Sequence, residues 1–161
     1  MIGSTIKKML LENEDDFLIS SDDVATLNES NSLEHALLVL TKIGYSRVPV
    51  LNKEEQLVGL VSLSQVVDQM FGIENLEPEN LANKKVKDIM DKDVPSILLP
   101  LDLEKTLHLL VDHSFIPVVN EINQFSGIIT RKEILKAVNH LAHELETEYD
   151  VTEKLMFKRR D

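Results

Sequence analysis

Apolar and polar residues follow nearly the same order in two stretches of the chain. Residues 46–62, SRVPVLNKEEQLVGLVS, place an apolar run before a polar turn and a second apolar run after it. Residues 114–130, SFIPVVNEINQFSGIIT, repeat that order 68 positions later, and six residues are identical at that spacing. Two apolar runs joined by a short polar segment predict a β-hairpin. The chain is therefore predicted to contain one hairpin twice.

The segments around each hairpin complete a larger repeating unit. A short strand and a helix precede each hairpin, and a second helix follows it. Ser32 and Asp102 stand where N-caps are expected, because both side chains can accept hydrogen bonds from free backbone N–H groups. Two β-α-β-β-α units of the α+β class are thus predicted. The predicted elements are strands at residues 24–27 and 94–97, helices at residues 33–43 and 103–112, and closing helices at residues 64–70 and from Arg131 into the 140s.

The stretch between the two units has the composition of a linker. Residues 71–93 contain Gly72, Pro78 and several asparagines. Near its end, KVKDIM resembles TIKKML at the start of the chain, which predicts a lead-in helix before each unit. The predicted division is a first module at residues 1–76, a second at 77–144 and a charged tail at 145–161.

The first-unit helix LEHALLVLTKIG is apolar on every side. A helix of this kind is covered from more than one direction, here by the sister unit and by a second chain. The pattern therefore predicts a homodimer.

Composition narrows the class of protein. A chain of 161 residues with 43% hydrophobic residues can bury a core. The absence of cysteine excludes disulfides and thiolate catalysis and favours a cytoplasmic protein. No apolar run is long enough to cross a bilayer, and the formal charge of -11 disfavours nucleic acid as a partner. The acidic residues 12–16 are predicted to form a solvated loop, and the basic residues 158–160 a solvated end.

The sequence contains few signals of catalysis. It has neither a Walker-type loop nor an H-E-x-x-H motif, and no nucleophile–base pair is evident, so a protein that is not an enzyme is predicted. His140 and His143 lie three positions apart near Glu144, a spacing that metal ligands can have. A third ligand is not apparent, and a solvated helix face is the favoured interpretation, with no metal and no cofactor.

The repeated pattern resembles a known family. The pattern consists of an apolar residue, Pro, Val, an apolar residue and Asn, followed by G-h-h-[ST]-x-x-[DE]-h, where h stands for an apolar residue. It is similar to the pattern of the cystathionine-β-synthase (CBS) module. GIITRKEIL at 127–135 fits closely, GLVSLSQVV at 59–67 fits loosely, and VKDIM is a typical lead-in. The resemblance implies two modules packed by pseudo-twofold symmetry, a Bateman module, with adenine-nucleotide clefts between them. The layout is similar to that of the stand-alone cyclic-di-AMP-binding CBS proteins of Gram-positive bacteria. It implies regulation of an enzyme such as a (p)ppGpp synthetase/hydrolase.

The tetrapeptide TRKE at 130–133 allows two interpretations. Thr130 and Glu133 have the spacing of a capping box, as do Ser62 and Gln65. A helix N-terminus also attracts anions, and Arg131 and its neighbour Lys132 add positive charge that capping does not need. Capping alone and capping combined with phosphate binding both remain open at this point.

In CBS pairs a cleft is walled by strands of one unit and the helix start of the other. Ala25 leaves room for a flat base, and Arg47 is a second candidate for phosphate, or else a surface ion-pair partner. The acidic family position held by Glu133 grips ribose hydroxyls in AMP and ATP, whereas cyclic-di-AMP offers it only a 2′ hydroxyl. The resemblance thus implies these ligand-binding residues: Val24, Ala25, Thr26, Tyr45, Ser46, Arg47, Val48, Pro49, Thr130, Arg131, Lys132 and Glu133.

Three functions are weighed on this basis. The leading hypothesis is a receiver of cyclic-di-AMP that changes the behaviour of a target protein. The alternatives are an energy sensor for AMP, ADP or ATP, and an interaction scaffold whose clefts hold no ligand.

Overall fold

The computed structural model describes residues 2–11, 17–72 and 75–148 and contains both predicted units. The acidic run 12–16 and the basic cluster 158–160 lie outside the described residues. In chain order, the elements are α1 (Ser4–Leu11), β1 (Leu18–Ser20), β2 (Leu27–Asn28), α2 (Leu33–Ile43), β3 (Arg47–Leu51), β4 (Leu57–Ser62), α3 (Leu63–Asp68), α4 (Asn80–Asn83), β5 (Ile97–Leu98), α5 (Leu103–Asp112), β6 (Phe115–Val119), β7 (Phe125–Thr130) and α6 (Arg131–Glu148).

The predicted α+β class and the repeated β-α-β-β-α order are confirmed. The two long unit helices have the predicted bounds because their N-caps form: Ser32 Oγ accepts from the His35 N–H at 3.2 Å, and Asp102 Oδ1 from that of Lys105 at 3.2 Å. Strands β2 and β5 begin three residues later than predicted. Only from Leu27 and Ile97 onward do these segments pair with β3 and β6. Helix α6 continues to Glu148, into the segment assigned to the tail.

The strands form two sheets of mixed direction. One sheet has the order β2-β3-β4 and the other β1-β7-β6-β5. In each unit the first strand is parallel to the second, and the second and third form the antiparallel hairpin that the two apolar runs and their polar turn predict. Among the described helices, none is long and apolar enough to cross a membrane.

The two lead-in segments, which in the structure also include β1 and Asp91 respectively, are exchanged between the units. Strand β1 precedes the first unit but pairs with β7 of the second, with Ile19 opposite Ile128. Asp91 precedes the second unit but bridges Leu60 in β4, through bonds of 2.8 and 2.9 Å. Leu10 likewise lies in the core of the second unit. In space, each lead-in therefore lies with the unit other than the one it precedes in sequence.

This exchange explains the repeated glycine of the two motifs. A Cβ on Gly59 would lie 2.7 Å from the carbonyl oxygen of Asp91, and a Cβ on Gly127 would collide with that of Ile19. Each glycine lets a lead-in strand lie against the third strand of the opposite unit.

The linker stretch contributes to the core more than its composition indicates. Leu81 in α4 and Val86 are buried in the first unit's core. The backbone N–H of Leu33 donates to the carbonyl of Lys84 at 3.0 Å, which ties the stretch to the start of α2. Pro78 precedes α4 and Asn83 ends it, and the stretch is packed against the first unit instead of forming a free tether.

The two units meet along their hairpins. The N–H of Leu57 donates to the Asn123 carbonyl at 3.1 Å, and that of Phe125 to the Glu55 carbonyl at 2.9 Å. Gln56 and Gln124 form the bridge at the centre of this contact. Beneath it lies an intermodule cluster of buried residues from both units: Leu57, Leu60, Phe115, Val119, Phe125 and Ile128. Equivalent residues thus face one another, as pseudo-twofold packing requires.

Candidate ligand-binding cleft

A cleft of about 670 Å³ lies at the start of α6. This volume is within the range of about 300–1,000 Å³ that is usual for small-molecule sites. The second unit supplies most of the wall, while Tyr45 comes from the first unit and Ile19 from the exchanged strand β1. The described residues that line it are Ile19, Tyr45, Ser114, Phe115, Thr130, Arg131, Lys132, Glu133, Leu135, Lys136 and Asn139.

Thr130 joins the sheet to the helix at the mouth of this cleft. Thr130 is only 8% exposed, and its Oγ1 accepts a hydrogen bond from the N–H of Glu133 at 3.2 Å. The predicted capping role of Thr130 is confirmed. Because the hydroxyl accepts in this bond, its proton is still free to be donated to a ligand oxygen. An 18-residue helix also presents its positive end here.

Arg131 has a structural role that the motif does not reveal. Its Nε donates to the Leu110 carbonyl at 2.7 Å, and its Nη2 donates to the carbonyls of Val111 and His113, each at 3.0 Å. These carbonyls end α5, where no following turn can satisfy them. Three of the five guanidinium N–H groups are therefore used, and the two on Nη1 have no partner among the described residues and can donate to a ligand.

The cleft is basic in an acidic protein. Among the described residues that line it, three have basic side chains, Arg131, Lys132 and Lys136, and one has a carboxylate, Glu133. Glu133 Oε1 lies 2.7 Å from Lys136 Nζ, so even this carboxylate is paired. The whole chain has a formal charge of -11, so this local excess of positive charge is opposite to that of the molecule. An anion is the ligand that such a site favours.

The remaining wall is apolar. Ile19 and the buried Phe115 lie beside the helix start, and Leu135 is 59% exposed on the next turn of α6. Tyr45, 51% exposed, lies at the cleft from the other unit. The apolar wall can hold a flat base, and the neighbouring basic side chains and helix N-terminus can hold a phosphate. The cleft therefore suits a ligand that has both groups.

The structure brings together five of the twelve predicted residues: Tyr45, Thr130, Arg131, Lys132 and Glu133. The other seven do not line the cleft. Val24 packs against the intermodule cluster, Val48 and Pro49 are buried in β3, Ala25 and Thr26 are half-buried, and the Ser46 carbonyl accepts from the Leu63 N–H at 3.1 Å.

Arg47, the seventh, forms an ion pair instead. Its Nη2 lies 3.1 Å from Asp91 Oδ2, which matches the alternative role of ion-pair partner. Arg47 and Asp91 hold the positions in the first unit that Phe115 and Ile19 hold in the second, since their strand partners are equivalent. The repeat therefore places an ion pair where the cleft has an apolar wall.

Six lining residues were missed by sequence reasoning: Ile19, Ser114, Phe115, Leu135, Lys136 and Asn139. Helical spacing could have found three of them, because residues 135, 136 and 139 follow Lys132 at intervals of three and four. Ile19 gives no such signal, since only the exchanged lead-in places it here.

A second cleft of about 480 Å³ lies at the start of α5. It is lined by two carboxylates, those of Asp102 and Glu121, and one basic residue, Lys105. Its charge does not favour an anion. In the described part of the chain, no group of three or more His, Asp or Glu residues could hold a metal ion, and His140 and His143 lie exposed on α6.

Comparisons with known proteins agree with this architecture. The family model for the CBS domain matches residues 15–72 and 86–140. The chain is 35% identical over 139 residues to cyclic di-AMP receptor B of Bacillus subtilis (strain 168), a match that covers 86% of this chain and 95% of that protein.

Solved structures give the same result. The CbpB protein of Listeria monocytogenes in complex with c-di-AMP is 46% identical, with a TM-score of 0.74 over 80% of this chain and 96% of that one. CbpB from Streptococcus agalactiae is 35% identical, with a TM-score of 0.83 over 95% and 96% of the two chains. The two β-α-β-β-α units, their exchanged lead-ins and these matches together show that the chain belongs to the CBS domain family, as a tandem pair homologous to the cyclic di-AMP receptor B and CbpB proteins.

Proposed function

We propose that this protein is a non-enzymatic receiver of cyclic-di-AMP, which it binds in the cleft at the start of α6. The observation that carries the proposal is the local reversal of charge: the described lining of the cleft has three basic side chains and one paired carboxylate, in a chain of charge -11. The homologous relatives include a protein named as a cyclic di-AMP receptor and one solved in complex with c-di-AMP.

The groups of the cleft suit the parts of this ligand. One phosphate is placed at the N-terminus of α6, where Thr130 Oγ1, Lys132 and the free Nη1 of Arg131 can donate to it. We propose that one adenine lies against Tyr45, whose ring is 51% exposed and offers stacking surface, with the buried Phe115 forming apolar wall nearby.

The position of Glu133 favours the cyclic dinucleotide over AMP. A mononucleotide of the kind that the family resemblance implies would need this carboxylate for two ribose hydroxyls. Lys136 Nζ already lies 2.7 Å from it. AMP, ADP and ATP would each require a carboxylate that a lysine already shares to accept from two ribose hydroxyls, whereas a ribose of cyclic-di-AMP requires it to accept from only one.

A thermal-shift and calorimetry panel tests the proposal. Cyclic-di-AMP at 100 times its Kd is expected to stabilise the folded protein by about 2.7 kcal/mol, because a ligand that binds only the native state must do so. AMP, ADP, ATP and cyclic-di-GMP are the matched competitors. Stronger binding of AMP or ATP would support the energy sensor instead, and no stabilisation by any nucleotide would support the ligand-free scaffold.

The receiver is further proposed to act as a homodimer. Leu38 on α2 is 63% exposed and Val111 on α5 is 72% exposed, so both unit helices carry an apolar residue on an open face. In sedimentation experiments the wild type is expected to have the mass of two chains, and the Leu38→Glu variant the mass of one. A monomeric wild type, or a variant that stays dimeric, would contradict this dimer surface.

The target is proposed to be an enzyme such as a (p)ppGpp synthetase/hydrolase. The bound and free receiver must differ in affinity for it, and a tenfold difference corresponds to about 1.4 kcal/mol of coupling. Capture of a purified synthetase by ligand-loaded and ligand-free protein measures that difference. Equal capture would reject this target.

A further inference from the structure

The single carboxylate among the described cleft-lining residues is a problem for an anionic ligand. Glu133 lies on the first turn of α6, two positions from Arg131 and one from Lys132. Its backbone is held in place by the bond from its N–H to Thr130 Oγ1 at 3.2 Å, and its side chain is only 25% exposed. A half-buried negative charge beside a bound phosphate would repel it.

Lys136, one turn further along α6, forms an ion pair with that carboxylate. Its Nζ lies 2.7 Å from Glu133 Oε1, and its side chain is 60% exposed. A pair of this exposure contributes little to folding stability. Its consequence for the electrostatic potential inside the cleft is larger, because the pair stands in the wall where the ligand is proposed to bind.

The first unit shows the arrangement without this device. At the positions equivalent to Glu133 and Lys136 it has Gln65 and Asp68. Gln65 is neutral and completes the capping box, with Oε1 accepting from the Ser62 N–H at 2.8 Å. The acid and the base therefore occur together in the second unit, and neither occurs at its position in the first. The Glu133 carboxylate beside the proposed phosphate site and its counter-ion Lys136 therefore act as one feature of the second unit.

We infer that Lys136 makes the cleft accept an anionic ligand by neutralising Glu133, and not by contacting the ligand itself. The inference rests on the proposed function, because it names how that cleft tolerates its one acid. Lys136 is in this sense a positioning and charge-setting residue. Thr130, Arg131 and Lys132 remain the groups that meet the phosphate.

A double-mutant cycle tests the inference with cyclic-di-AMP as the probe and titration calorimetry as the readout. Lys136→Met is expected to lower affinity about tenfold, because the unpaired Glu133 charge, partly screened by salt, would then repel the phosphate of the ligand. Glu133→Gln alone is expected to leave affinity equal or higher, because the amide oxygen can still accept a hydrogen bond from a 2′ hydroxyl while the negative charge is gone. The double variant Glu133→Gln/Lys136→Met is expected to recover the wild-type affinity, because the charge that Lys136 opposed is gone.

The matched control is an acid–base pair outside the cleft. Lys53 Nζ lies 3.6 Å from Glu54 Oε1 on the hairpin turn, with the lysine side chain 88% exposed. Lys53→Met removes the same charge from the chain and is expected to leave affinity unchanged. Thermal unfolding of every variant separates a change in affinity from a loss of fold.

Each result has a definite meaning. A double variant as weak as Lys136→Met would overturn the inference, since Lys136 would then contact the ligand directly. Unchanged affinity in Lys136→Met would overturn it as well. If the wild-type protein gives no heat with cyclic-di-AMP, the proposed function itself fails and the inference falls with it, a result distinct from the other two.

Discussion

Replacement of Gly127 by alanine is expected to destabilise the protein by about 3 kcal/mol or more, through backbone strain and collision together. Gly127 has a φ of 149°, which L side chains rarely adopt. Its added methyl group would also meet the carbonyl oxygen of Ile19, which is backbone and cannot swing aside. Strand β1 would have to leave β7, and the exchanged lead-in would lose its place. Urea unfolding measures the change.

Gly44 provides the matched control. It also has positive φ, at 71°, but no atom lies within 4 Å of a Cβ placed there. Gly44→Ala is expected to cost about 1 kcal/mol, the conformational part alone. The difference between the two variants contains the contact with Ile19 together with the greater backbone strain at a φ of 149° than at 71°. Equal losses would mean that the close approach of β1 to β7 does not exist in solution.

Replacement of Arg131 by methionine is expected to lower both stability and ligand affinity. Three hydrogen bonds to the carbonyls that end α5 are lost, at about 0.5–1.5 kcal/mol net for each bond. Loss of the charge and of the free Nη1 donors is expected to weaken cyclic-di-AMP binding by about tenfold to a hundredfold, since charge-assisted bonds are worth about 1.5–3 kcal/mol. Urea unfolding and calorimetry read the two effects separately.

Two further variants separate the roles of Arg131. Lys132→Met removes a neighbouring cation of the cleft for which the described residues offer no partner, so it is expected to lower affinity and leave stability unchanged. Arg131→Lys keeps the charge but lacks the planar guanidinium that donates to three carbonyls at once. It is expected to lower stability and to retain part of the affinity. Full stability of Arg131→Met would contradict the bonds to α5, and full affinity would remove Arg131 from the ligand site.

Much of the fold could be predicted because its signals are local. The polar turn between two apolar runs predicts each hairpin, and Ser32 and Asp102 predict where α2 and α5 begin. Both side chains act on N–H groups three residues away, so a short window of sequence contains the whole interaction. The same holds for Thr130 and the start of α6.

The site was predicted less completely, because its partners are distant in the chain. Arg47 and Phe115 are equivalent in the repeat, yet one pairs with Asp91 and the other lines the cleft beside Ile19. Arg131 reaches carbonyls about twenty positions earlier. No spacing rule connects residues so far apart, since packing decides which side chains meet.

By itself, the sequence determined the duplication, the α+β class, the bounds of the main helices and the basic start of α6, because each depends on short-range hydrogen bonding or on the alternation of apolar residues. Only the tertiary structure decided that the lead-ins are exchanged, that Ile19 walls the cleft, and that Arg131 is already engaged by the carbonyls that end α5. These features arise where segments far apart in the chain come into contact, and there the burial of apolar surface and the satisfaction of backbone groups select among arrangements that local patterns leave equal.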